Sequence, residues 1–214
     1  MNEEQRIQEM LHLLSENYPE KKSALHHHNP LEMLVATILS AQCTDARVNI
    51  VTKELFKKYK TAKDYADANL KKLEQEIRST GFYHNKAKNI KNAGTMIIQE
   101  FHGKIPETME ELMKLPGVAR KTANIVLSNA FGKIEGIAVD THVRRISYRL
   151  GLTKHTDPNK IEKDLMAKIP RKEWWYVNHV LVDHGRAICK APTPLCSSCF
   201  LQNLCPKNGV TKSK

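Results

Sequence analysis

The sequence predicts an all-α protein. Apolar residues recur at helical spacing along nearly the whole chain, no stretch shows the sustained alternation of a half-buried strand, and several apolar stripes open on a capping residue. Ile7, Met10, Leu11 and Leu14 form the first stripe. The second runs through Leu31, Leu34, Val35, Ile38 and Leu39, with Asn29 as its N-cap and Pro30 at the first helical position. Further helices are expected from about Val48 to Tyr59, Leu70 to Ser79 and Lys86 to Glu100. Thr108 and Glu111 make a capping-box pattern before a short helix ending at Leu115. Ala123, Val126, Leu127 and Ala130 stripe the next helix, and Val143, Ile146 and Leu150 another. Asp157-Pro158 opens one more, with Ile161, Leu165 and Ile169 inward. Val177, Val180, Leu181 and His184 stripe the last long helix, so His184 reads as a core histidine. Connections are short, and Lys207 to Lys214 is expected to be a frayed polar tail.

A chain of 214 residues makes one large domain or two small ones sharing a core, and at 41% hydrophobic it can bury a sizeable one. No run of about 18 apolar residues is present to span a membrane. Met1 to Glu9 is polar and helix-patterned, unlike a signal peptide, which sets the expectation of a cytoplasmic protein. The formal net charge of +11 and pI near 9.4 favour a polyanionic partner, nucleic acid before membrane surface; the alternative is a merely basic soluble protein.

Four of the five cysteines, Cys189, Cys196, Cys199 and Cys205, cluster near the C-terminus, while Cys43 stands apart as an expected buried thiol. An odd count with this clustering argues for a metal site rather than disulfides. Only Cys196 and Cys199 form a close pair, whereas a zinc ribbon brings two. The wider spacing on either side suits a larger object such as a cubane cluster, with structural zinc the alternative.

Leu115-Pro116-Gly117-Val118 separates two helices as a tight turn, the glycine free to take positive φ. The helix that begins near Ala119 presents its first amides outward, which suits a phosphate; a plain helix connection is the alternative. Lys121 falls in that helix's first turn beside Arg120. The helix dipole and the neighbouring cation both act to lower its pKa, and a neutral amine can form a Schiff base with a sugar carbon. A phosphate-contacting or solvated lysine is the other reading. Asp140 is placed as N-cap of the helix that follows Val139-Asp140-Thr141-His142-Val143. Besides capping, its carboxylate could offset positive charge on a sugar ring as a base departs.

Three remaining groups read as structural. His26, His27 and His28 sit in a solvated loop with no further ligand at matching spacing. Arg144, Arg145 and Arg149 form a basic face opposite Val143 and Ile146, solvated or touching DNA. Trp174 and Trp175 open a helix, one in the core and the other packing at an interface.

The run Leu115 to Asn124, the Val139 to Val143 motif and the four cysteines, in this order, resemble the endonuclease III family of helix-hairpin-helix DNA glycosylases, and the resemblance reaches from the first helix to Cys205. It implies an all-α fold of two lobes with the active-site cleft between: a helical barrel with the hairpin over residues 23–136, and a lobe of residues 1–22 and 137–214 holding a [4Fe–4S] cluster on Cys189, Cys196, Cys199 and Cys205. It implies a bifunctional DNA N-glycosylase and abasic-site lyase of base excision repair. Lys121 would attack C1′ of a flipped, oxidised pyrimidine nucleotide with Asp140 assisting, and β-elimination would cut the strand on the 3′ side. The family's gap-filling glutamine falls on Gln42, and its apolar wedge on Phe82; from the residues alone, Gln42 also reads as a C-terminal helix cap or buried amide, and Phe82 reads as a core aromatic after a helix-stopping glycine. Other DNA contacts are implied at Leu115, Gly117, Val118, Ala119, Arg120, His142 and Lys190. The expected partner is double-stranded DNA carrying a damaged base or abasic site, bound by a monomer in the cytoplasm at the nucleoid.

Two positions depart from the family's pattern. The loop between the first two cysteines holds one basic residue, Lys190, where relatives often carry several, and Met113 stands where an acidic residue is common. A monofunctional adenine glycosylase shares the cluster and aspartate but typically lacks the lysine at position 121; a thymine–guanine mismatch enzyme is a further alternative. A non-enzymatic, metal-stabilised DNA-binding protein has no use for Gln42, Lys121 and Asp140 together.

Overall fold

The computed structural model describes residues 1–19 and 23–214. Among them every regular element is helical. By contacts, the chain divides into two compact units: Met1–Lys21 with Gly136–Lys214, and Lys22–Glu135.

The second unit holds α2 (Pro30–Leu39), α3 (Asp45–Lys58), α4 (Ala62–Asp67), α5 (Leu70–Ile77), α6 (Tyr83–Phe101), α7 (Met109–Leu112) and α8 (Arg120–Phe131). α2 is its axis: all seven residues from Met33 to Leu39 are buried, as in a helix covered on every side. It packs on α3, α6 and α8. Asn29 caps it through the amide of Glu32, with Pro30 just inside the start. α4 lies against α6 at Gly94, where a Cβ would stand 2.7 Å from the Ala62 carbonyl oxygen, so only glycine permits the approach.

The first unit joins α1 (Glu3–Asn17) to α9 (Thr141–Arg149), α10 (Pro158–Lys168), α11 (Trp174–Ala187) and the cysteine loop. Arg6 ties α1 down by donating to the carbonyls of Leu150 at 2.8 Å and Leu204 at 3.0 Å. The Tyr176 hydroxyl donates to the Tyr18 carbonyl just past the end of α1. α9 and α11 cross at Gly185, where an added Cβ would meet His142 Nδ1 at 2.6 Å and Ile146 Cδ1 at 2.8 Å.

Four expectations need correction. The helix expected from Val48 begins at Asp45, because Thr44 caps it through the Arg47 amide. The short helix after Thr108 ends at Leu112 rather than Leu115. The segment from Lys207 to Lys214 is not frayed: Asn208 N donates to the Arg149 carbonyl, while Lys214 donates to Pro194 O and accepts from Ser197 N, so the tail folds back on α9 and the cysteine loop. Arg145 and Arg149 are not a solvated face. Arg149 is buried and Arg145 half-buried, and both donate to the Cys189 carbonyl. Trp174 is in the core, its indole N–H on the Ile169 carbonyl, and half-buried Trp175 packs on His179.

Candidate nucleic-acid interface and active site

In the second unit, Leu115 to Val118 form a hydrogen-bonded turn, Val118 N donating to Leu115 O at 3.1 Å. Pro116 takes the second position and Gly117, at φ 82°, the third, the arrangement of a type II turn. Leu115 and Val118 are buried and anchor it, while Gly117 and Ala119 are exposed. A Cβ on Gly117 would stand 2.9 Å from the Asn89 Cβ, so the turn lies flush on α6. Helix α8 follows with Ala119 as N-cap and no side-chain cap. By contrast α2, α3, α4, α5 and α7 are all capped by Asn or Thr side chains. The bare start of α8 is the end of a helix suited to an anion. Lys121 is exposed in its first turn and Arg120 half-buried beside it.

Gln42 and Phe82 share an unusual backbone. Both are non-glycine residues with left-handed φ, 52° and 50°. Such a conformation costs an L-residue about 1–2 kcal/mol and holds only where surroundings impose it. Gln42 is exposed just beyond α2, not a buried amide. Phe82, N-cap of α6, is 62% exposed, which overturns its reading as a core aromatic. Met113 is exposed as well, and Cys43 only half-buried against the core.

In the first unit, Asp140 is the N-cap of α9. Its Oδ1 accepts the amides of His142 and Val143, each at 2.8 Å, which fixes the carboxylate's orientation. His142 is half-buried against Gly185, and its Nδ1 faces Arg145 Nη2 at 3.1 Å. Lys190 is exposed in the loop after Cys189.

Cys189, Cys196, Cys199 and Cys205 all line one pocket of about 410 Å³, measured to its open mouth, with apolar walls that include Ile146, Leu150, Ile188 and Leu201. N–H donors stand at two of the sulfurs: Arg149 Nη1 at 3.3 Å from Cys189 Sγ, and the Lys207 amide at 3.4 Å from Cys205 Sγ. His184 Nε2 lies 3.7 Å from Cys199 Sγ. Burial pushes the Cys199 and Cys205 thiols up, so their thiolate forms need a cation beside them.

Residues 35–171 match the HhH-GPD superfamily of base excision DNA repair proteins. The chain is 52% identical to endonuclease III of Synechocystis sp. over 96% of its length and 94% of that protein's, and 48% identical to that of Bacillus subtilis over 97% and 94%. The chain belongs to the endonuclease III family. Two solved endonuclease III structures, a non-covalent complex with DNA and a trapped covalent intermediate with an estranged adenine, each superpose at a TM-score of 0.90, with 49% identity over 97% of both chains. A thermostable thymine-DNA glycosylase, 22% identical with a TM-score of 0.82, shares the fold.

Within this endonuclease III family member, sequence reasoning missed the groups around the sulfurs. Arg149 reads as surface charge because its other partners, the carbonyls of Lys190 and Pro192, lie some forty residues away in the chain. It also missed Lys86, a buried lysine on α6. No sequence signal separates either from an ordinary surface cation. His26 and His28 are exposed and His27 half-buried. Among the described residues no helix is long and apolar enough to cross a membrane.

Proposed function

We propose that the chain is a bifunctional DNA glycosylase and abasic-site lyase of base excision repair, acting as a monomer on duplex DNA that carries an oxidised pyrimidine or abasic site. The observation that carries this is the exposed Lys121 in the first turn of α8, directly after the Leu115–Val118 turn. The Lys121 amine attacks C1′, losing a proton, and the C1′–N bond breaks as the base leaves with a proton. The C1′–O4′ bond then breaks, O4′ taking a proton, to give the open-chain iminium, which loses a C2′ proton; the 3′ phosphate departs, and water later releases the sugar from Lys121. Asp140, held by its two amides, faces the positive charge that develops on the sugar and takes up protons from the nucleophile.

The turn supports DNA by backbone: Leu115, Gly117, Val118, Ala119 and Arg120 carry the phosphate contact, with His142 and Lys190 adding to it. Gln42 fills the space left by the flipped nucleotide, and Phe82 wedges beside the orphan base; their exposure and shared left-handed backbone support that assignment.

The pocket fits a [4Fe–4S] cluster. Its four donors are soft sulfurs that line one apolar-walled pocket. Cys189, Cys196, Cys199 and Cys205 would hold it. When bound, the cluster supplies a four-point cross-link and a one-electron centre. Arg149 and the Lys207 amide would donate to the ligating sulfurs. The chain would work in the cytoplasm at the nucleoid.

Borohydride trapping tests the chemistry. A duplex with one oxidised pyrimidine is expected to give a covalent adduct with the parent and none with Lys121→Ala. Base release without an adduct would make the protein monofunctional; neither product on any lesion or mismatch would leave only binding.

A further inference from the structure

Lys86 is 4% exposed, and the hydrogen bonds of its ammonium go to backbone rather than to a carboxylate. Its Nζ donates instead to two backbone carbonyls, Leu39 O at 2.7 Å and Thr80 O at 2.8 Å. Leu39 is the last residue of α2, and Thr80 ends a 3-10 turn, Arg78–Thr80. Helix C-termini expose carbonyls that carry partial negative charge, so one ammonium answers two such ends at once. Burial pushes its pKa below that of an ordinary lysine, and an apolar side chain would fill the space without that strain.

What lies just past each carbonyl gives the contact its meaning. Gln42 follows shortly after Leu39, and Phe82 shortly after Thr80, both with left-handed φ. The same helix places Asn89, one turn on from Lys86, against Gly117 of the hairpin. The opening half of α6 therefore braces three segments: it carries Phe82 at its cap, fixes the end of α2 through Lys86 and supports the turn through Asn89.

We propose that Lys86 is a positioning residue: its buried ammonium sets the spacing between the Gln42 and Phe82 segments, so that the gap-filling amide and the wedge enter one lesion together. This rests on the glycosylase reading above, and on the roles assigned there to Gln42 and Phe82. Lys86 touches neither DNA nor the reacting atoms.

The test uses Lys86→Met in the cluster-containing full chain, with Lys86→Gln in its place should the methionine variant not accumulate as folded protein. Hydrogen exchange on the free protein is expected to quicken at residues 40–44 and 80–84 together while α8 and the cysteine loop stay as in the parent. Binding is then compared on two abasic duplexes, one with a base opposite the site and one with a baseless spacer there. The variant is expected to lose about tenfold in affinity on the first and little on the second, which has no orphan base to hold apart, with kcat unchanged on both. In the variant, Gln42→Ala should cost much less than it costs the parent, because the two act through one contact. Equal loss on both duplexes, an unaltered exchange rate in either segment, or full additivity with Gln42→Ala overturns the proposal. A parent that forms no borohydride adduct on any duplex overturns the glycosylase reading instead, a result independent of the exchange data.

Discussion

Gly117 lies flush against Asn89, with room for a hydrogen between them and none for a methyl group. The same glycine holds φ at 82°. Gly117→Ala therefore meets two penalties, a left-handed backbone and a contact of 2.9 Å, and is expected to destabilise the protein by about 1–3 kcal/mol. Adding Asn89→Ala should return only the share due to the Asn89 amide group, since the 2.9 Å approach to the Asn89 Cβ and the left-handed backbone both remain. Thermal melts of both variants and the parent read this directly.

Asp140 separates chemistry from capping. Asn is as good an N-cap as Asp, so Asp140→Asn should change stability by less than about 0.5 kcal/mol while lowering base release on the order of a hundredfold. Asp140→Ala should lose activity to a similar extent and also about 1 kcal/mol of stability, since the amides of His142 and Val143 lose their acceptor. Single-turnover rates and melting curves, measured side by side, check both halves.

Replacing Cys199 by Ser is expected to remove the broad absorbance near ~400 nm that marks an iron–sulfur cluster. It should also open the C-terminal segment to protease, because Lys214 reaches Pro194 and Ser197 only while the cysteine loop keeps its shape. The rest of the helical fold should melt at a lower temperature but still cooperatively. A fully loaded protein with unchanged proteolysis would remove Cys199 from the ligand set.

Tyr59 gives a pH signature in the second unit. Its hydroxyl donates to Glu76 at 2.9 Å and its ring stacks on Tyr65, and burial, with Glu76 alongside, pushes its pKa up to about 12. A raised folded-state pKa means that its contribution is fully present below the unfolded value near 10 and is lost as pH rises toward 12. The parent should thus lose on the order of 2 kcal/mol more than Tyr59→Phe between about pH 9.5 and about pH 12. The melting temperature of the parent should fall relative to that of Tyr59→Phe across that range.

Helices announced by a cap were legible in the sequence. Asn29-Pro30, Thr108, Asp140 and Asp157 begin helices where the chemistry of their side chains says they should. α4 escaped notice because six residues make no apolar period, although Thr61 and Asp64 close a full capping box at its start. From the residues alone Phe82 reads as a core aromatic, and wrongly so, because its exposure depends on the left-handed turn after Gly81 and on what packs around it. The charges were least legible. Lys86, Arg145 and Arg149 look like surface cations in sequence, yet each donates to at least one backbone carbonyl from a distant segment, which periodicity cannot register. The positions of Lys121 and Asp140 at helix starts followed from local signals alone; nothing local brings the two to a common substrate.

The bonds of Arg6 bear on how the molecule is made. Its two carbonyl partners lie 144 and 198 residues downstream. A ribosome releases α1 early, then threads out the entire second unit, then α9 to α11 and the cysteine loop, before the Leu204 carbonyl emerges. Throughout that time the bonds of Arg6 cannot both form, whereas the second unit, contiguous in sequence, can fold as soon as it appears. The second bond of Arg6 thus closes α1 onto the far end of its own unit only after the contiguous unit between them has been made.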